Sequence, residues 1–169
     1  LTLPIAALGA IVAALIETTV VPELRVFDVQ ANLLLTLAIV ATVAMSIADG
    51  LVWAFLGGLL VDMLTPLRPI GATTFVLLLV VGLAAATSRL LGPTRVAALV
   101  IVFGLTWAYH LLMLVTLALS EGVSAGTIDL QLVFGAAVLN MLLAIPFLGL
   151  FTLLERRFGN RDREHAAWA

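Results

Sequence analysis

The stretch Gly57-Gly58-Leu59-Leu60-Val61-Asp62-Met63-Leu64-Thr65-Pro66-Leu67-Arg68-Pro69-Ile70-Gly71 decides how this chain is read. Its apolar run stops at Thr65-Pro66 and carries one carboxylate, Asp62, just before the stop. Counting back by fours from Asp62 gives Gly58, Ala54 and Gly50. Residues four apart share a helix face. The carboxylate therefore ends a stripe of small residues, and such stripes in apolar helices mark close packing by another helix. An ionisable side chain in a membrane span costs about 2.5–3.5 kcal/mol at mid-depth, and so faces protein or water. Asp62 is expected to point into a bundle or a partner.

Composition sets the solvent. The chain is 63% hydrophobic and 11% charged, with mean hydropathy +1.25. A soluble domain of this length needs a more charged surface. In lipid the backbone must satisfy itself, by helices or a closed barrel. The apolar runs are continuous and do not alternate, which excludes barrel strands. There is no cysteine, so disulfides, thiolate nucleophiles and Cys-based metal sites are excluded. The net charge of −2 gives no sign of a nucleic-acid partner, and none is expected. The first apolar segment has no basic flank or small-residue cleavage site, so it reads as a retained helix, with a few residues expected upstream.

A span needs about 20 apolar residues. The first runs from about Leu3 to Val21 and stops at Pro22; Glu23 to Gln30 is short and polar. Asn32 to Leu64 is apolar for longer than one span needs. Ser46, Asp49 and Gly50 interrupt it, which predicts two short helices joined by a tight turn. Two prolines stop propagation in the loop Thr65 to Ile70. A fourth helix is predicted over Gly71 to Leu91, broken by Gly92-Pro93, and a fifth over Thr94 to Leu119. The loop Ser120 to Asp129 is small and polar. A sixth helix covers Leu130 to Leu154, with a kink expected at Pro146. The reading is an all-α membrane protein: a six-helix transmembrane domain over 1–155 and a short basic tail over 156–169.

Six spans put both termini on one side. The positive-inside rule makes that side cytoplasmic. The inner segments then hold Arg89, Arg95, Arg156, Arg157, Arg161 and Arg163, and the outer loops only Arg25 and Arg68. Five spans with one middle helix re-entrant is the rival topology. Under six spans, Glu17, Glu23, Arg25, Asp28, Asp62 and Arg68 fall near the outer surface, Asp49 near the inner one, and His110 and Asn140 nearer the middle.

Each polar residue has a structural and a functional reading. Asp62 can accept hydrogen bonds from N–H groups of the loop or of the next helix, or pair with Arg68. Otherwise it contacts a partner helix or a small ligand. Glu17 ends a second small-residue stripe, Gly9 and Ala13, and could face Asp62 or share Arg25. His110 shares a face with Trp107, Thr106 and Phe103, which favours packing over catalysis. Asn140 lies with Ala136 and Ala144 and is expected to bond a neighbouring helix. The basic tail marks topology and suits anionic lipid. Enzyme signatures fail. Asp49-Gly50 followed by Asp62 partly matches CDP-alcohol phosphatidyltransferases, but Ser46 stands where an Asp is needed and Trp53-Ala54 where Ala-Arg is. There is no HExxH, Gly-x-Ser-x-Gly or Walker loop. No catalytic, cofactor or metal site is expected.

From Gln30 to Ala86 the chain resembles the MreD family of bacterial rod shape-determining membrane proteins. Pro22 to Val29 leads into a helix starting Asn32-Leu33-Leu34-Leu35. A short turn and a Gly-rich helix follow, and Gly58, Asp62, Leu64, Thr65 and Gly71 fill the places of the family's G-x-L-x-D-x-L-S/T segment and following Leu/Ile-Gly. Asn140, Pro146 and Glu155-Arg156-Arg157 fit its ending. The resemblance implies a multi-pass protein of the cytoplasmic membrane, without enzymatic activity or cofactor, serving the cell-elongation machinery. It implies a bundle similar to the six-helix substrate-binding subunits of energy-coupling-factor transporters. It also implies association with an MreC-like single-span protein, and action with MreB, RodA and a class B penicillin-binding protein. Further expected contacts are membrane lipid and a second copy of the chain. On this reading Glu17, Gly50, Ala54, Gly58, Asp62, Arg68, Gly71, His110 and Asn140 are structural or partner-contact residues. The rival function is a vitamin-capturing transporter subunit, which needs a polar pocket open to the outside; an intramembrane enzyme stands third.

Overall fold

Local chemistry fixes where helices begin and end. The computed structural model describes residues 3–23, 29–65, 69–92, 94–121 and 129–166, and these form six α-helices. Helix α1 is Leu3–Thr19, extended by a 3-10 turn, Val21–Glu23, through Pro22. Helix α2 is Leu33–Ala44 and α3 is Ile47–Leu64. Helix α4 is Ala72–Leu91, α5 Arg95–Glu121 and α6 Leu130–Ala166.

Asn32 caps α2, its side chain accepting from Leu35 N at 2.8 Å. Between α2 and α3, Ser46 and Asp49 bond reciprocally. The Ser46 hydroxyl accepts from Asp49 N at 3.1 Å and donates to the Asp49 carboxylate at 2.7 Å. Ser46 is the N-cap of α3, and the pair starts α3 within two residues of the end of α2. Gly71 precedes α4 at φ 95, a left-handed conformation that suits a residue without Cβ. Thr94 and Asp129 side chains accept from the first turns of α5 and α6. Pro146 lies inside α6, which continues unbroken past it and on through the polar 156–166 stretch.

Five of these helices are long and apolar enough to cross a membrane: Pro4–Glu23, Ile47–Leu64, Ala72–Leu91, Arg95–Leu119 and Leu130–Leu153. The middle pair predicted as two short helices is unequal. Helix α3 is a full 18 residues, whereas α2 has 12, about 18 Å of helix. Residues 30–32 before it are not helical. They track inward along α6, from Val29 beside Gly135 to Asn32 beside Asn140. Asn32 itself is extended, and α2 alone is shorter than the roughly 30 Å of a bilayer core.

Helix α2 is the centre of the bundle. Its residues Leu34 to Thr42 are all buried, and it packs against all five other helices. Around it, α1 packs on α3, α3 on α4, α4 on α5 and α5 on α6. The core is aliphatic: Leu34, Leu35, Ile39 and Val40 of α2 meet Val76, Leu77, Val80 and Val81 of α4 and Ile101 and Val102 of α5. The outward faces carry Leu, Ile, Val and Phe, as lipid-facing surface requires.

Candidate functional site

The polar side chains inside the spans gather at two helix starts. The first is the start of α4. Asp62, near the end of α3, is 2% exposed. Its Oδ2 accepts from Gly71 N at 3.0 Å, Thr74 N at 3.0 Å and the Thr74 hydroxyl at 2.8 Å. Its Oδ1 accepts from Thr73 N at 3.0 Å. A helix leaves its first N–H groups without internal partners and carries partial positive charge there, and a carboxylate from the preceding helix answers both. The approach is close because Gly58 has no side chain: a Cβ there would lie 2.8 Å from Thr74 Cα. Arg68, the alternative partner, lies outside the described residues, as does Arg25.

The second is the start of α2. Glu17 Oε2 accepts from Leu33 N at 2.7 Å and Leu34 N at 3.3 Å. Asn140 Oδ1 accepts from Asn32 N at 2.7 Å. Asn140 Nδ2 donates to the Thr106 hydroxyl at 3.1 Å, which donates in turn to Val102 O at 2.8 Å. Thr106 and Asn140 are fully buried. With Asn32 capping Leu35, the amides of Asn32, Leu33, Leu34 and Leu35 are all answered by side chains, from α1, from α6 and from Asn32 itself. Sequence places Glu17 shallower than Asn140, yet the two meet one turn. The reason is that α1 continues through Val21–Glu23, which lowers Glu17 into the bundle. Glu17 and Asp62 thus hold different helix starts.

Gly50, Ala54, Gly58 and Asp62 are all buried. Gly50 lies against Thr42 and Ala38 of α2, and Gly58 against Thr74 of α4. The small-residue stripe of α3 is therefore used inside the chain. It is straight only because Trp53–Gly57 forms a π-turn. In a regular α-helix, residues twelve apart are rotated by about 120°. A π-turn absorbs one extra residue, about 100°, which brings Gly50 and Asp62 to within about 20°. Nothing in residue type signals the turn; only that arithmetic does.

Beside it, the Trp53 indole is nearly buried, and among the described residues its Nε1 has no hydrogen-bond partner. Its ring stands edge-on to Phe151 at 6.0 Å and fills the space over Gly9. His110 Nδ1 lies 2.8 Å from Thr106 O, one turn back on the same helix; a carbonyl only accepts, so Nδ1–H donates. Its ring is edge-on to Tyr109. Sequence reading passed over Thr73 and Thr74 of this site, and named Asn32 only as a helix start and Thr106 only as sharing a face with His110. Only Asn32 had a signal, an N-cap residue type directly before an apolar run.

Two of the clefts on the described surface are lined as follows. One, of about 500 Å³, is lined by Pro4, Ala7, Leu51, Val52, Phe55 and Leu56. The other, of about 420 Å³, lies along α6 between Val29, Gln131, Phe134 and Val138. Both are almost wholly apolar. Among the described residues, no three His, Cys, Asp or Glu side chains are grouped to hold a metal. Compared with protein-family models, curated proteins and solved structures, the chain matches none of them.

Proposed function

We propose that this chain is a non-enzymatic membrane scaffold of the bacterial cell-elongation machinery, of the MreD kind. It would sit in the cytoplasmic membrane with both termini inside and bind an MreC-like single-span protein. The observation that carries this reading is the use made of the intramembrane polar groups. Asp62, Glu17 and Asn140 turn their oxygens to backbone N–H groups of neighbouring helices. Groups so engaged build a rigid bundle; a nucleophile or base would be turned to a space where a substrate can sit. The resemblance in Gln30 to Ala86 supplies the biological setting, and the bundle relationship to energy-coupling-factor subunits comes with it. Capture of a vitamin by such a subunit needs several polar groups converging on a pocket; the cleft between Pro4 and Leu56 and the cleft between Val29 and Leu139 have apolar linings that do not supply them.

The test is isolation of the tagged protein from its native membrane, with mass spectrometry of what accompanies it. The expected outcome is a single-span partner with a large extracytoplasmic domain, and loss of rod shape in cells deleted for the gene. Cells that keep rod shape and an intact MreC-containing complex without this chain would overturn the assignment. A stably bound small molecule or a paired ATPase would move it to the transporter reading.

A further inference from the structure

The π-turn of α3 stores one residue of helical register between two fixed ends. At the inner end, Ser46 and Asp49 tie α3 to the turn from α2, and Gly50 is pressed on Thr42. At the outer end, Gly58 is pressed on the Thr74 backbone and Asp62 holds the start of α4. Removing the turn while the inner end stays fixed moves every later residue one place along, rotating the outer half by about 100°. Gly57 then takes the place of Gly58, Val61 that of Asp62, and Asp62 that of Met63.

Two observations make this second register accessible. The least forgiving contact on α3 is the one with Thr74, since its nearest atoms are backbone. The residue that would arrive there is again a glycine, Gly57, so the tight spot accepts either register. The place Gly57 leaves would receive Leu56, and there the buried Leu34 side chain has to repack. The place Asp62 would take is an outward one, for Met63 is 66% exposed where Asp62 is 2%. We propose that α3 is a two-register helix: the π-turn holds Asp62 on α4, and its loss turns Asp62 to the outer surface and frees the first amides of α4. The device is independent of which partner the bundle has.

Three variants of the full chain in proteoliposomes test it, read by folded yield and by carbodiimide modification of Asp62 located by mass spectrometry. Deletion of Phe55, a half-exposed residue of the turn, removes the extra residue and leaves both ends docked; it should fold with Asp62 protected. Gly58→Ala puts a Cβ on Thr74 and is relieved by shifting register; it should fold with Asp62 modified. The two changes together leave no extra residue to give up, and folded protein should be lost. Failure of the Phe55 deletion to fold overturns the proposal. So does Gly58→Ala that is unfolded or still protected at Asp62, or a double variant that accumulates like Gly58→Ala alone.

Discussion

Asp62 shows how far one side chain can organise a membrane helix. Its four hydrogen bonds come from Gly71 N, Thr73 N, Thr74 N and the Thr74 hydroxyl at the start of α4. In lipid those N–H groups have no water to turn to, so losing the acceptor costs more than in a soluble protein. Asp62→Asn keeps one oxygen but turns an amide NH₂ toward a backbone donor. It should lose at least one charge-assisted bond, about 1.5–3 kcal/mol, and accumulate at a reduced level. Asp62→Leu leaves all four donors unanswered and should accumulate at a lower level than Asp62→Asn. Leu at normal level, with normal partner binding and cell shape, would sink both the capping role and any partner role. The place of Asp62 was legible: one carboxylate at the end of an apolar run, just before a Thr-Pro stop. The kind of donor was legible too, N–H groups of the loop or the next helix, but not the Thr74 hydroxyl or the particular amides, because four-residue spacing fixes a face of a helix and says nothing of the neighbour across it. Thr73 and Thr74 look in sequence like ordinary residues of an apolar span.

Among the elements, α2 depends most on the others. Its first turn is held by Glu17 of α1 and Asn140 of α6, and neither contact is local in sequence. Asn140→Leu removes an acceptor for Asn32 N and a donor to Thr106. It should cost about 1–3 kcal/mol and lower the melting midpoint in detergent by about 2–12 °C. Asn140→Asp keeps the acceptor and should fall between. Equal melting of all three proteins would show that the contact contributes nothing. The break between α2 and α3 was legible from Ser46 and Asp49, a capping pair three apart. The two short helices it implied are one short, α2 with 12 residues, and one of full length, α3 with 18, since an interruption fixes where a helix starts and not how far it runs. The π-turn in α3 was hidden for another reason. It answers to the distance between two docked ends, and no single residue type encodes that.

For the whole molecule, the legible part was the solvent: composition and continuous apolar runs imply helices in lipid, and the described chain is helical with five membrane-length helices. The proposed topology counts α2, 12 residues long, as a sixth crossing, and six crossings would put both termini on one side. Because the native sequence has no cysteine, single cysteines can report sidedness cleanly. One in the Ser120–Asp129 loop and one in the 156–169 tail should label from opposite faces, the tail from the cytoplasm; labelling from the same face would refute six crossings. The cap on α2 also has a meaning in time. The amide of Asn32 waits for an oxygen made 108 residues later. At roughly 5–20 residues per second, a ribosome needs about 5–20 s to supply it. Until then the central helix of the bundle is unfinished, and a chain cut short before Asn140 carries its defect at the core, where a membrane protease can recognise it.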